Sequence, residues 1–439
     1  MTTPYALTRA TVIHPASAGE PLVEHTVLID ADGLISAIGP SAEVEVPAAV
    51  QRIDCTGRFV LPGMINAHAH LFADGRPLGA IYLHPRMKGI TSRVLHSKIG
   101  SKILGKRTRT NAGVQLRSGV TTLRTVGDGR REVIDYQGQV ERGEIVGPRV
   151  LASGPLMAIT GGHGHPQISY LADTPEQGRE GTRKNIDDGA KAIKIAATGG
   201  VTDAKGIGHA GKPEVSEETM RAICEEAHAE GILVAAHAQS VEGVKRALRA
   251  GVDTIEHGSD MDDETIALFR DSPASLRGWS ALVPTIQAAL PLVKLDRSIT
   301  GIDEIVHSNA ELVLESMFAG IRTALDNDIP VGVGTDSGVT YVTHANFWRE
   351  LDFLVRYGGL SPAQALTAAT AGNARILGID DLTGTIEVGK SADLVVLDAN
   401  PLESMRALRQ PRAVIAHGHL IEEPQIDRIA DIDAQLDTL

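Results

Sequence analysis

The sequence predicts an α/β protein built around a parallel (β/α)8 barrel, with a small composite β-sandwich made from both chain ends. In the middle of the chain, apolar segments of strand length alternate with amphipathic helical patterns. Short β segments separated by turn residues occupy both ends. The length of 439 residues suits one large barrel with an accessory domain. We therefore predict domains at 1–58, 59–380 and 381–439, with the first and last forming the sandwich.

Eight apolar segments are the predicted barrel strands. Each is too apolar to face water, and helical patterns at 216–230, 241–250 and 310–326 are typical of the segments that separate them. The predicted strands are 59–65, 120–124, 149–152, 192–195, 232–236, 254–256, 281–284 and 330–334.

The two ends carry the β segments of the predicted sandwich. Those near the start are 10–13, 26–30 and 34–38, and those near the end are 384–386, 392–398 and 413–416. Neither group is long enough to bury a core alone, so we expect the two ends to pair with each other and cover their edges.

Composition excludes several classes of protein. The net charge of −13 and an aromatic content of 3% argue against nucleic acid as a partner. Two cysteines, Cys55 and Cys224, indicate no disulfide framework and a reducing compartment. No apolar run reaches the roughly 18 residues that span a bilayer. We expect a cytoplasmic protein that acts on a small molecule, without a membrane or nucleic-acid partner.

One segment has an unusual charge. Between residues 75 and 127 there are eleven Lys and Arg residues and no Asp or Glu. The favoured interpretation is a solvated helical face or a contact between subunits, which also indicates a homo-oligomer. The alternative is a lid whose positive field attracts a substrate that bears a carboxylate.

Candidate metal ligands follow several predicted strands. His68 and His70 come after the first, and residues two apart in a β segment point the same way, so both imidazoles can meet one ion. His237, His257 and Asp336 follow the fifth, sixth and eighth strands. Singly, such a histidine is more often structural and such an aspartate is often a helix cap. Together they converge at the carboxyl-terminal mouth of one barrel, where this fold builds its active sites.

Lys194 is the most informative candidate. It lies between Ile193 and Ile195 in a predicted core strand, where an unpaired cation is costly. Its amine either reaches the rim or an acid, or reacts with CO2 to give a carbamate that bridges two ions as a carboxylate does. Lys191 is the competing lysine and is expected to be exposed.

These motifs resemble the amidohydrolase superfamily over nearly the whole chain. The carrying motifs are His-x-His at 68–70, Ile-Lys-Ile at 193–195 with Thr-Gly-Gly at 198–200, His237, Glu-His-Gly at 256–258, Gly-Thr-Asp at 334–336 and the segments 373–378 and 389–394. The run Thr-Gly-Gly-His-Gly-His at 160–165 resembles the imidazolonepropionase-like branch, which includes Xaa-Pro dipeptidases, ochratoxin-hydrolysing amidases and hydrolases of urea or carbamate herbicides.

The resemblance implies a two-metal hydrolase. His68, His70 and Asp336 would hold one ion, His237 and His257 the other, with carbamylated Lys194 and a hydroxide bridging them. Asp336 would act as general base. Zinc is favoured, although manganese, cobalt or iron suits the same ligands.

Substrate contacts are expected from His163, His165 and Gln239. The two histidines lie in the loop after the third strand, which in this branch forms part of the pocket wall. Gln239 stands where dipeptidase-type relatives carry tyrosine, a departure that favours amides, ureas or carbamates without a free amino-acid end. A second departure is Arg124-Thr125, where relatives commonly show Arg-Asp.

The function expected from the sequence is hydrolysis of a small amide of the N-acyl amino acid or dipeptide kind. The alternative within the family is a carbamate or urea hydrolase with the same centre. A bridging lysine disfavours cyclic amidases and deaminases of the superfamily. The alternative from another class is a catalytically silent assembly scaffold, which is disfavoured because all six ligand positions are filled.

Overall fold

The computed structural model describes residues 3–14, 20–77, 92–94 and 97–439. Its strands in chain order are β1 (Tyr5–Val12), β2 (Leu22–Ile29), β3 (Ile35–Pro40), β4 (Gln51–Asp54), β5 (Phe59–Pro62), β6 (Met64–Ala69), β7 (Val120–Thr125), β8 (Arg149–Leu151), β9 (Leu156–Ala158), β10 (Ser169–Leu171), β11 (Ala192–Ala196), β12 (Leu233–Ala238), β13 (Thr254–His257), β14 (Ala281–Val283), β15 (Leu394–Leu397), β16 (Ala413–Ala416) and β17 (His419–Glu422).

Strands from both chain ends form one sheet. Its order is β17-β16-β15-β5-β1-β2-β3, with β4 beside β1. Leu394 of β15 pairs with Pro62 of β5 on one side and with Ile415 of β16 on the other. The expectation that the two ends pair is confirmed, whereas the two facing layers of a sandwich stay a prediction.

Parallel strands form the centre of the molecule. One group has the order β6-β7-β8 and the other β10-β9-β11-β12-β13-β14. The groups are connected where the amide of Ala192 donates to the carbonyl of Ala152. On the far side, Val331 bridges to Leu282 of β14 and Ser337 bridges to Ala69 of β6, both in parallel. The α/β class and the parallel alternation of strands and helices are therefore as expected.

Helices follow most of these strands. They are Lys98–Arg117, Glu132–Glu141, Pro175–Asp188, Glu217–Ala229, Val241–Ala250, Asp263–Arg270, Ile286–Lys294, Arg297–Thr300, Glu304–Asp326, Phe347–Arg356, Pro362–Thr367, Asn373–Leu377 and Ala430–Leu436, with 3-10 turns at Val201–Asp203 and Met405–Arg409 and a π turn at Ala368–Gly372. Side-chain caps fix several starts; Ser216, for example, accepts a hydrogen bond from the amide of Thr219.

Three expected strands differ in the structure. The segment 59–65 divides at Gly63, so that β5 joins the terminal sheet and only β6 enters the parallel strands. Gly63 has no room for a side chain, because a Cβ atom there would lie 2.1 Å from the hydroxyl of Thr121. The segments 330–334 and 384–386 are not regular strands, although 330–334 still occupies the place between β14 and β6.

The basic segment lies partly outside the described residues, which omit 78–91 and 95–96. Its described helix, Lys98–Arg117, buries Leu104 and Ala112 and exposes Lys102 and Arg109. This part is an exposed helical face, and the role of the whole segment stays a prediction. Among the described helices, none has the length and apolar composition that crossing a bilayer would require.

Candidate metal centre

His68, His257 and Asp336 are the core of the candidate site. One ligand atom from each lies within 4.8 Å of the other two, and all three side chains are buried. Nε2 of His68 and Nε2 of His70 lie 3.2 Å and 3.0 Å from Oδ1 of Asp336. That oxygen nevertheless has no hydrogen bond of proper geometry to any described residue. Nitrogen and oxygen donors that converge without satisfying one another fit a divalent ion.

Two of these residues, His257 and Asp336, have a strained backbone conformation. His257 and Asp336 have φ of 68° and 60°, in the left-handed region that side chains other than glycine rarely occupy. His257 is the last residue of β13, and Asp336 follows the irregular segment 330–334. Such strain persists only where the surroundings hold it, and it is concentrated at functional sites.

The Nδ1 atoms of three candidate ligands are engaged by the protein. Nδ1 of His68 lies 2.6 Å from a carboxylate oxygen of Glu256, and Nδ1 of His257 lies 2.7 Å from the hydroxyl of Thr285. Nδ1 of His70 lies 3.0 Å from the carbonyl of Gly127. A partner at Nδ1 fixes the ring orientation and leaves Nε2 as the atom for a metal, which is the usual support of a metal-binding histidine.

A buried ion pair supports His68. Glu256 and Arg124 are both almost fully buried, and Nη2 of Arg124 donates to Oε1 of Glu256 at 2.7 Å. Burial raises the pKa of the Glu256 carboxyl, but the neighbouring Arg124, Lys194 and His68 outweigh it and hold the pKa well below its usual range. The carboxylate is therefore ionised and can fix the imidazole of His68.

Lys194 is a buried amine without a partner. It lies on β11 in register with Ala235 of β12, and its Nζ has no hydrogen-bond partner among the described residues. Burial lowers its pKa to about 8, with Glu256 acting in the opposite direction. An amine with a lowered pKa has a larger neutral fraction, which is the form that reacts with CO2.

His237 belongs to the same group of rings. It lies across from Glu256 in the sheet, and its ring centroid is 4.6 Å from that of His257. Its Nε2 lies 3.2 Å from the carbonyl of Gly199, so it does not face the cluster of His68, His257 and Asp336 as directly as the others do. Burial, followed by the nearby His163 and His257, lowers the pKa of His237 well below its usual value.

Burial raises the pKa of Asp336, but His68 and His70 more than compensate. Their combined effect holds the pKa of this carboxyl well below its usual range. Asp336 is consequently ionised at neutral pH, as both a metal ligand and a proton acceptor must be.

The three expected substrate contacts lie in different surroundings. The ring of His163 stacks on His237, with centroids 4.2 Å apart and an angle of 19° between the rings. His165 is half-buried, and its Nδ1 accepts a hydrogen bond from the amide of Gly161 within the same loop. Gln239 has a buried amide oxygen without a hydrogen-bond partner in the described part of the chain. His163 is thus the one in direct contact with a candidate metal ligand.

Sequence reasoning missed the residues that orient these ligands. Glu256 appears there only as part of a motif, Arg124 only beside the departure at Thr125, and Thr285 not at all. An acid inside the apolar strand Thr254–His257 is a usable signal, because a buried carboxylate needs a cation or several hydrogen bonds. Thr285 gives no comparable signal, since its role depends on a left-handed φ of 68°.

Comparison with known proteins assigns the family. The model of the amidohydrolase family matches residues 59–421, and the chain belongs to this family. The resemblance inferred from the motifs is confirmed. The family and the hydrolase names of its members support hydrolysis of a carbon–nitrogen bond.

Three similar proteins define the branch. A structure from Bifidobacterium longum, named provisionally as a prolidase, is 49% identical, with a TM-score of 0.88 and coverage of 99% of this chain and 98% of that one. A Xaa-Pro dipeptidase structure with bound methionine is 28% identical, with a TM-score of 0.80 and coverage of 95% and 100%. The ochratoxinase of Aspergillus niger is 27% identical over 424 residues, which span 90% of this chain and 82% of that protein.

Proposed function

We propose that this protein is a binuclear metal-dependent amidohydrolase that cleaves the amide bond of an N-acyl amino acid or dipeptide. The observation that carries the proposal is the convergence of His68, His257 and Asp336 within 4.8 Å. Beside them lies the buried amine of Lys194, which has no hydrogen-bond partner in the described part of the chain. Polar groups buried in this way are costly unless a ligand completes them.

The proposed ligands follow from the chemistry of the donor set. His68, His70 and Asp336 would hold one ion, His237 and His257 the other, and Lys194, once carbamylated by CO2, would bridge them. Zinc suits imidazole and carboxylate donors, and manganese, cobalt or iron does as well. When bound, two divalent ions lower the pKa of water and polarise a carbonyl group.

Asp336 is the proposed general base. Its carboxylate is ionised because His68 and His70 lower its pKa, so it can take a proton from the water whose oxygen forms the new bond to the carbonyl carbon. The same carboxyl group can then deliver the proton to the leaving nitrogen, so that the carbon–nitrogen bond breaks and a carboxylic acid and an amine are released. Arg124 and Glu256 hold His68 in orientation throughout, and neither needs to exchange a proton.

The proposed substrate class follows the named relatives. The prolidase, the Xaa-Pro dipeptidase and the ochratoxinase are all named for hydrolytic activities, and the first is 49% identical to this chain. His163, His165 and Gln239 are the proposed substrate contacts. We also propose that the protein is a homo-oligomer and cytoplasmic.

Gln239 favours a second candidate, a carbamate or urea hydrolase. Its buried amide oxygen has no partner in the described residues, and it stands where dipeptidases carry tyrosine. The amide oxygen at this position could accept a hydrogen bond from an N–H group of a urea or carbamate substrate.

A substrate panel on purified, metal-loaded protein tests the proposal. N-acyl amino acids and Xaa-Pro dipeptides should be hydrolysed faster than aryl ureas and thiocarbamates, with release of the amine. A preference for the ureas and thiocarbamates would replace the leading substrate class by the second. The silent scaffold is tested separately by metal analysis, because an enzyme of this design should hold about two divalent ions per chain and a scaffold none.

A further inference from the structure

The ring of His163 lies between a candidate metal ligand and solvent. It stacks on His237 at 4.2 Å, yet its side chain is 24% exposed, whereas the whole residue His237 is 4% exposed. His163 comes from the loop between β9 and β10, and two of its hydrogen-bond partners come from the segment after β11. It is therefore placed to contact a substrate that lies over the candidate metal centre.

Three residues after β11 hold His163. Nδ1 of His163 lies 2.8 Å from Oδ2 of Asp203, and its backbone amide donates to Oε2 of Glu214 at 2.8 Å. Gly200 lies directly against the ring, because a Cβ atom there would be 2.6 Å from Nδ1. With Nδ1 engaged and one ring face covered by His237, Nε2 is the ring nitrogen left for another partner.

Each of the two loops has anchors other than the contact between Asp203 and His163. The segment after β11 is anchored by Asn309, whose amide oxygen accepts from the amides of Gly208 and Ala210. The loop of His163 is anchored by Asp173, which accepts from the amide and the hydroxyl of Thr160. A contact that is added to these anchors and that engages a ring beside the candidate site is best explained by the orientation of that ring.

We propose that Asp203 is a positioning residue for the hydrolytic reaction: it holds the Nδ1 proton of His163 and thereby presents Nε2 to the substrate. The inference rests on the proposed function. The physical reason is that a carboxylate at one imidazole nitrogen fixes both the tautomer and the orientation of the ring, as it does in catalytic triads and metal sites. A positioning residue acts on the reaction through the ring that it orients, so the effect of Asp203 on kcat/KM should vanish when the His163 ring is absent.

A double-mutant cycle measures this dependence. On the fastest amide substrate, Asp203→Ala and His163→Ala should each lower kcat/KM by about 10–100-fold, the size usual for groups that orient a site. The double variant should be no slower than His163→Ala alone. Asp203→Asn should retain more activity than Asp203→Ala, because the amide oxygen of asparagine can still accept a hydrogen bond from the Nδ1–H group of His163. Additive losses would overturn the proposal, since a purely structural aspartate would act equally with and without the ring.

Asp173→Ala is the matched control. It removes an aspartate that anchors the same loop without touching His163 and should leave kcat/KM within about twofold of the wild type. If Asp173→Ala and Asp203→Ala cause equal losses, loop anchoring explains both and the positioning role is wrong.

A second readout needs no substrate. Nitrogen-15 NMR of the zinc-loaded protein, with the signal assigned by its loss in His163→Ala, should show His163 protonated at Nδ1 in the wild type. Asp203→Ala should remove this preference while metal content stays unchanged. An unchanged tautomer would contradict the proposal even in an active enzyme. If no amide is cleaved but the tautomer changes, the proposed function fails while the contact itself is established.

Discussion

Lys194 shows how one residue can carry a functional prediction. A lysine between two isoleucines on β11 has a buried amine with no hydrogen-bond partner among the residues that the structure describes, and burial lowers its pKa to about 8. Desolvation makes the charged form of the amine costly and so increases its neutral fraction. The neutral amine is the form that can react with CO2, which is why this lysine predicts a carbamate.

We expect Lys194→Ala to abolish activity and to lower the metal content below two ions per chain, because the proposed bridging group is lost. The measurements are metal analysis and amide hydrolysis, each with and without added bicarbonate during metal loading. Bicarbonate should increase the activity of the wild type and should have no effect on Lys194→Ala. Lys191→Ala, which changes an exposed lysine three residues earlier, is the control and should behave as the wild type does. Full metal binding by Lys194→Ala would contradict the bridging role.

Glu256 is the residue on which the orientation of His68 depends. We expect Glu256→Gln to destabilise the protein by about 3–5 kcal/mol, because it leaves the buried Arg124 without its anion. Metal affinity should fall by about 10–100-fold. Denaturant unfolding and metal titration measure the two effects.

Glu217→Gln is the corresponding exposed control. It breaks an ion pair with Arg221 on a helix surface and should cost no more than about 1 kcal/mol. If the Glu256 and Glu217 variants were equally stable, the buried pair would have no special role.

At the scale of elements, the helix Ile286–Lys294 depends on a distant carboxylate. Its N-cap residue, Thr285, has a left-handed φ and makes no side-chain cap, because its hydroxyl contacts His257. The free amides of Ile286 and Gln287 donate instead to Glu350 at 2.6 Å and 2.9 Å. Glu350, on the helix Phe347–Arg356, thus takes over the cap that Thr285 gives up for the candidate metal ligand.

This cap predicts a pH dependence of stability. Burial raises the pKa of Glu350 to about 8, whereas an unfolded glutamate has a pKa of about 4.3. Between these values the folded state keeps a proton that the unfolded state has released, so the contribution of Glu350 to stability falls as pH rises. Denaturant unfolding from pH 5 to 9 should show wild-type stability declining relative to Glu350→Gln up to about pH 8 and then levelling off.

The control for this pH series is Asp352→Asn on the same helix, which changes a partly exposed acid that pairs with Arg356. Its stability difference from the wild type should not change with pH over this range. A constant difference for Glu350→Gln as well would show that Glu350 titrates normally.

The irregular segment 330–337 is another element decided by its neighbours. Val331 bridges to β14, but a complete strand ladder does not form. The amide group of Asn373 substitutes for it, accepting from the amide of Val333 and donating to the carbonyls of Ile65 and Val333. This departure from a regular strand leads directly into the left-handed backbone of Asp336.

At the scale of the whole molecule, the two chain ends meet at a pair of glycines. Gly33 and Gly418 are so close that a Cβ atom on Gly418 would lie 2.3 Å from Cα of Gly33, and both have φ near +77°. The pairing of β15 with β5 closes the terminal sheet directly before β6 begins. The sheet therefore fixes where β6, which carries His68 and leads into His70, joins the parallel strands.

We expect Gly418→Ala to destabilise the protein by more than backbone strain alone, by about 2–4 kcal/mol, because the methyl group meets backbone that cannot move away. Thermal unfolding measures the effect, and metal content of the folded protein should stay unchanged. Gly57→Ala is the matched control: its φ is +74°, but nothing lies within 4 Å of the added carbon, so only about 1 kcal/mol should be lost. Equal losses would mean that the contact between the two ends is loose.

The sequence by itself determined the α/β class, the pairing of the chain ends and the family. Apolar segments of strand length, amphipathic helical patterns and strand-end histidines are local patterns, and local chemistry is sufficient to read them. It also identified His68, His257 and Asp336 as neighbours, because parallel strands bring their carboxyl ends to one edge.

Only the tertiary structure decided how these side chains are oriented. It divides 59–65 at Gly63 and gives His257 and Asp336 a left-handed backbone. It also brings together residues that are far apart in the chain: Glu256 contacts His68, Thr285 contacts His257, and Asp203 contacts His163. Such contacts depend on close packing between elements and on the need of every buried polar group for a partner, and neither requirement leaves a periodic signal in the sequence.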